Sequence, residues 1–79
     1  MRKVIVNGIY KHFKGNSYKV LLIGKDSETL EEKVVYQSVL EPEKIWIRSL
    51  KEFLSEVDHL KYPDIKQKYR FEIQNKTKK

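Results

Sequence analysis

The chain has 79 residues, no cysteine and a formal net charge of +6. A domain this short buries only about 60–65% of the surface its unfolded chain exposes, so it has room for one small core. The lack of cysteine excludes disulfides, thiolate–metal sites and a thiol nucleophile, and it points to a reducing cytoplasm, because secreted domains of this size usually carry disulfides.

The charge is unevenly spread. Residues 1–25 hold six bases and no acid, residues 26–58 hold nine acids and four bases, and residues 59–79 hold seven bases and two acids. At the N-terminus (MRKVIVNGIYKHF) two basic residues precede an apolar run that breaks at Asn7-Gly8, too short for a signal peptide. No later run is long enough to span a bilayer, so no membrane association is expected.

Gly8 to Phe13 (GIYKHF) alternates apolar and polar residues and reads as a short strand. Lys14-Gly15-Asn16 is a turn, with Gly15 free to take positive φ. Ser17 to Lys25 (SYKVLLIGK) is a longer strand, and Gly24 near its end suggests a bulge or bend. Asp26 to Glu31 (DSETLE) is polar and turn-like, and Glu32 to Ser38 is the second arm of this hairpin. Glu41-Pro42-Glu43 breaks the ladder, since proline has no N–H to donate.

Lys44 to Arg48 is the next strand, with Ile45 and Ile47 on one face and Trp46 and Arg48 on the other. The two isoleucines are expected to face the core. Ser49 followed by Glu52 matches a capping box. Leu50, Phe53, Leu54 and Val57 then form one apolar stripe on a short helix over about residues 50–58. Pro63 stops anything beyond it. Tyr69 to Gln74 (YRFEIQ) alternates again as a closing strand, and residues 75–79 are a basic flexible tail. One domain over residues 1–74 is expected, mainly β, with about five short antiparallel strands and one short helix after Arg48. A barrel is its natural form, because closure removes exposed strand edges.

Several motifs together resemble the bacterial domain-of-unknown-function family 1653. They are Tyr10-Lys11-His12-Phe13-Lys14-Gly15 with Tyr18 and Val20, Ser27-Glu28-Thr29, Val34-Val35-Tyr36-Gln37, and Trp46-Ile47-Arg48 with Leu50 and Phe53. The resemblance runs from about Gly8 to Val57, and more loosely to Arg70-Phe71. It implies a small SH3-like antiparallel barrel and brings no activity, substrate or cofactor. Three positions depart from the family pattern: Ser49 stands where proline is usual, Leu40 where tyrosine is usual, and Glu41 where glycine is usual.

Six residues are candidates for ligand binding: His12, Glu28, Tyr36, Gln37, Trp46 and Arg48. Trp46 beside the Arg48 guanidinium offers an aromatic face next to a planar cation, suited to a base, carboxylate or phosphate. The structural alternative is that Trp46 caps the barrel and Arg48 pairs with Glu28 or Glu52. His12 lies in a basic segment, where neighbouring lysines lower its pKa and favour the neutral ring. It is either a ligand contact or the satisfied partner of a carbonyl or tyrosine hydroxyl. Gln37 is either network glue or a recognition group. The Asp26, Ser27 and Thr29 side chains account for a hairpin loop by bonding nearby backbone. His59 is read as a cation complementing a helix C-terminus.

No glycine-rich phosphate loop, HExxH motif or Cys/His cluster is present, so no cofactor and no metal is expected. The leading expectation is a small non-catalytic binding module for an anionic small molecule, nucleotide or peptide. The alternative is nucleic-acid binding through the basic ends, with Lys11, Lys14, Lys19, Lys66, Lys68 and Arg70 as phosphate contacts. A small enzyme using His12 with Glu28 or Glu32 is weaker, because no paired acid–base or nucleophile arrangement can be read. A homodimer burying an exposed edge or apolar patch is the remaining reading of partners.

Overall fold

Five antiparallel strands form one sheet in the order β4-β3-β2-β1-β5 in the computed structural model, which describes residues 3–74. They are β1 (Ile9–His12), β2 (Ser17–Lys25), β3 (Glu32–Ser38), β4 (Ile45–Ser49) and β5 (Phe71–Ile73), with a single helix, α1 (Leu50–Phe53), after β4. The expected mainly β fold is therefore what the chain adopts. The tail expected over residues 75–79 lies outside the described residues.

The β2–β3 hairpin has the expected bounds, and its loop is shaped by its own side chains. Asp26 Oδ1 accepts the N–H of Glu28 and of Thr29 at 2.9 and 3.2 Å, and Thr29 Oγ1 accepts that of Glu31 at 3.1 Å. The bulge expected near Gly24 falls elsewhere. Gly24 pairs in register with Lys33, and the register shifts between Val20 and Leu22. The extra residue swaps faces, so that Val20 and Ile23 both stand opposite inward-facing residues of β3, Tyr36 and Val34.

In a flat sheet, four strand spacings of about 4.8 Å would hold β4 and β5 about 19 Å apart. Instead Arg48 Cζ on β4 lies 5.9 Å from the Phe71 ring centre on β5, and the Tyr36 and Phe71 ring centres are 5.4 Å apart. The sheet is strongly curled. Among the described residues its hydrogen-bonded ladder does not close: β4 and β5 remain its two edges, and side chains span the gap between them. The buried core is Tyr10, Val20, Val34, Tyr36, Phe53 and Phe71. Phe53 and Phe71 stack face to face, 4.1 Å apart and 7° from parallel, while Tyr10 and Tyr36 meet Phe53 edge-on.

α1 is one turn long, not the helix over residues 50–58 that the apolar stripe suggests. Ser49 caps it as expected, its Oγ accepting the Glu52 N–H at 3.1 Å. The backbone beyond it is used differently: Ser55 O accepts from Arg70 N, and Val57 N donates to Lys68 O. Pairing with residues 68–70 of the same chain thus replaces the helical bonds, although Val57 is still buried. His59 is consequently not in the last turn of α1, which ends at Phe53, and its Nε2 lies 3.1 Å from the Gln67 carbonyl.

The register between β3 and β4 reverses the expected orientation of β4. Trp46 stands opposite Tyr36 and Arg48 opposite Val34, both partners buried. Trp46 and Arg48 therefore face the concave side. Ile45 and Ile47 face outward and are 54% and 67% exposed. Burying the isoleucines would turn the indole and guanidinium away from the aromatic core, which already fills the concave side.

Candidate functional site

Two adjoining hollows open on the concave side. The first, about 220 Å³, is lined by His12, Tyr18, Tyr36, Trp46, Arg48 and Phe71. The second, about 330 Å³, shares His12 and Arg48 and adds Phe13, Lys14, Asp58, Lys61, Tyr62 and Arg70. Together they fall within the roughly 300–1,000 Å³ range typical of small-molecule sites.

Strand alternation supplies the first hollow. Tyr36, Trp46, Arg48, Tyr18, His12 and Phe71 come from all five strands, and curling brings them onto one surface. Tyr18 meets Tyr36 edge-on at 5.3 Å, and Phe71 meets both Tyr18 and Tyr36 edge-on. Arg48 is held at the junction of the hollows. Its Nε–H donates to Tyr36 Oη at 3.2 Å, its Nη1 lies 3.7 Å from Glu52, and its plane approaches the Phe71 ring. The pairing of Arg48 with Glu52 is one of the two anticipated from sequence. Glu52 is well exposed, so water and salt screen that pair and leave the guanidinium much of its charge.

His12 is also at the junction, packed against Phe13, Tyr18 and Phe71. Its Nδ1 accepts the Lys14 N–H at 3.1 Å, so the neutral ring carries its hydrogen on Nε2. Partial burial, then the nearby Arg48, Arg70 and Lys14 charges, lower its pKa from the ordinary 6.5 to about 4. The direction agrees with the sequence reading, but burial and two arginines contribute ahead of the one lysine.

The second hollow is strongly cationic. Lys14, Arg48, Lys61 and Arg70 line it, against the single carboxylate of Asp58. That carboxylate is engaged locally, Oδ1 accepting the N–H groups of Leu60 and Lys61. Among the described residues the ion pairs are Lys33–Glu31, Lys44–Glu41 and Arg48–Glu52, so none involves Lys14, Lys61 or Arg70. Lys14 and Lys61 hold their ammonium groups 5.7 and 5.5 Å from the Tyr62 ring centre, and Arg70 Nε–H donates to Ser55 Oγ.

Of the six residues singled out from sequence, His12, Tyr36, Trp46 and Arg48 come together. Gln37 points to the other face and donates to the Pro42 carbonyl, which is the glue role. Glu28 lies exposed in the β2–β3 loop, away from both hollows. The six basic residues of the alternative reading divide. Lys14 and Arg70 line the second hollow, whereas Lys11 and Lys19 lie on the convex face and Lys66 and Lys68 line neither hollow. Sequence reasoning missed Tyr18, Phe71, Lys61 and Tyr62. For Tyr18 a signal existed in its alternation with Val20, and for Phe71 in the YRFEIQ pattern. Lys61 and Tyr62 carry no local signal, because they reach the hollow only through the return of residues 54–70.

A family model described as Protein of unknown function (DUF1653) matches residues 8–73. The chain belongs to this family. The DUF1653 span takes in every residue lining the two hollows, and the family's description assigns no activity. No curated protein and no solved structure matches the chain. Among the described residues of this DUF1653 member, no group of three or more His, Cys, Asp or Glu lies close enough to hold a metal ion. No helix among them is long and apolar enough to cross a membrane.

Proposed function

We propose that this DUF1653 member is a non-catalytic binding module that takes a small anionic ligand in the concave hollows. The observation that carries the reading is the gathering of Lys14, Arg48, Lys61 and Arg70 around one engaged carboxylate, beside a patch of aromatic rings. Such a concentration of positive charge in a concavity attracts anions, since low-dielectric walls focus the field. Burial is the first cause of the lowered His12 pKa, and the Arg48, Arg70 and Lys14 charges lower it further, so the same field also acts on a resident group. A neutral His12 would offer its Nε2–H as a hydrogen-bond donor. A binding role is favoured over catalysis because the hollow holds neither a carboxylate poised as a base nor a nucleophile beside His12.

Nuclear magnetic resonance titration of the whole chain with inorganic phosphate, nucleotides and acidic peptides tests the reading. Amide and side-chain signals of Lys14, Arg48 and Arg70 should shift together and saturate with at least one class. Shifts confined to the convex lysines, with a steep loss of affinity in salt, would replace this reading with nucleic-acid binding. A cytoplasmic location is proposed with it, on the cysteine-free composition.

A further inference from the structure

We propose, resting on the anion-binding reading above, that the occupant of the paired hollows is a nucleoside monophosphate. Its phosphate would lie among Lys14, Lys61 and Arg70, and its base against Tyr18 and Trp46, with Arg48 and His12 between them.

The division of the surface supports a ligand with two unlike ends. The first hollow is mostly aromatic: Tyr36 and Phe71 form its buried floor, and Trp46, 48% exposed, and the partly exposed Tyr18 present ring surface to an occupant. The second adds Lys14, Lys61 and Arg70 to the shared Arg48. A planar group stacks on aromatic rings whatever its edge pattern, whereas a compact anion needs the converging cations.

Charge narrows the choice further. An aromatic pocket of this kind ordinarily suits a cation, held over ring faces. Here the cation over the Phe71 ring is the protein's own Arg48, so a positively charged occupant would be repelled. Three further cations and the Nε2–H of His12 exceed what one carboxylate can satisfy. A phosphate monoester carries about −1.5 to −2 charge at neutral pH and three acceptor oxygens, which fits that set. The convex placement of Lys11 and Lys19 argues against a polymer, because no basic track leads out of the hollows along them.

The test uses the full chain with Trp46, its only tryptophan, as reporter. It is titrated with adenosine and uridine monophosphates, the two nucleosides, inorganic phosphate, phenyl phosphate and a single-stranded tetranucleotide. The expected result is a saturable change in Trp46 emission with a monophosphate, and binding about tenfold or more weaker for nucleosides, inorganic phosphate and phenyl phosphate. The His12 signal should move to a higher pKa when the dianion binds, because an opposite charge nearby favours the imidazolium. Lys61→Gln should weaken the monophosphate by about tenfold. Lys61 is exposed, so this variant separates loss of affinity from loss of fold better than Arg70→Gln, whose side chain also holds Ser55.

Inorganic phosphate or phenyl phosphate binding as tightly as a nucleotide would overturn the nucleotide assignment and leave the anion-binding reading standing. A tetranucleotide bound about tenfold tighter than either monophosphate would overturn the free nucleotide in favour of single-stranded nucleic acid. Silence of Trp46 and of the Lys14 and Arg70 signals toward every ligand would remove both readings together.

Discussion

Acidification should destabilise this protein through His12 before its carboxylates are fully titrated. The unfolded chain takes up the imidazole proton near the ordinary 6.5, whereas the folded chain takes it up only near about 4. Between those values the unfolded state binds more protons, so falling pH favours it. The stability from keeping His12 neutral is thus fully present above about 6.5 and is lost as pH falls toward about 4. At about 1.4 kcal/mol per pH unit the ceiling is ~3 kcal/mol. The ring is partly open to solvent, which screens the charges around it, and an effect of about 1–2 kcal/mol is expected. That is a large share of the roughly 4–12 kcal/mol available to a domain of this size.

Urea unfolding followed by Trp46 emission, at neutral pH and again near pH 4.5, would measure it. In a His12→Gln variant the carboxylates titrate as in the parent, so the difference in pH dependence isolates the imidazole. The parent should lose about 1–2 kcal/mol more than the variant over that interval. Equal losses in the two proteins, or a His12 resonance titrating at its ordinary value, would refute the burial and charge environment described for this ring.

Phe71→Ala should cost about 3–5 kcal/mol and leave the chain largely unfolded, because Phe71 stacks on Phe53 and touches rings from β1, β2 and β3. A loss below about 1 kcal/mol in urea unfolding would show that β5 is not integral to the core. Val34→Ala, at a fully buried position, should cost about 2 kcal/mol. Ile47→Lys, on the convex face, should change stability by no more than about 0.5 kcal/mol, and the opposite ranking would reverse the orientation assigned to β4. Ser49→Ala should cost about 1 kcal/mol in thermal unfolding, since it removes the acceptor for the Glu52 N–H. A neutral result would mean that this end of α1 is satisfied by water.

Much of the fold is legible in local pattern. The bounds of β2 and β3, the side-chain-built loop between them, the turn before β4, the Ser49 cap and the closing strand all follow from short-range chemistry. The misplaced features depend on distant partners. The bulge falls at Val20/Leu22 rather than Gly24, because the pairing with β3 decides where β2 gains its extra residue. α1 stops after one turn because residues 68–70 take over the backbone groups that a longer helix would use. In the candidate site, His12, Tyr36, Trp46 and Arg48 could be named from residue type, whereas Lys61 and Tyr62 join them only through a segment more than forty positions from His12.

The face that β4 presents shows where local information stops. Alternation alone determines that Ile45 and Ile47 share one face of the strand and Trp46 and Arg48 the other. It does not determine which face turns inward, and aliphatic character favours the wrong one. That choice belongs to the register with β3, where a slip of one residue would exchange the faces completely. The register sets Trp46 beside Tyr36 and Arg48 beside Val34, where the guanidinium gains the Tyr36 oxygen and the Phe71 ring face. Composition and alternation thus determined a small, basic, mainly β protein. Curling the sheet around stacked phenylalanines decided that its cations and aromatic rings meet in one concavity.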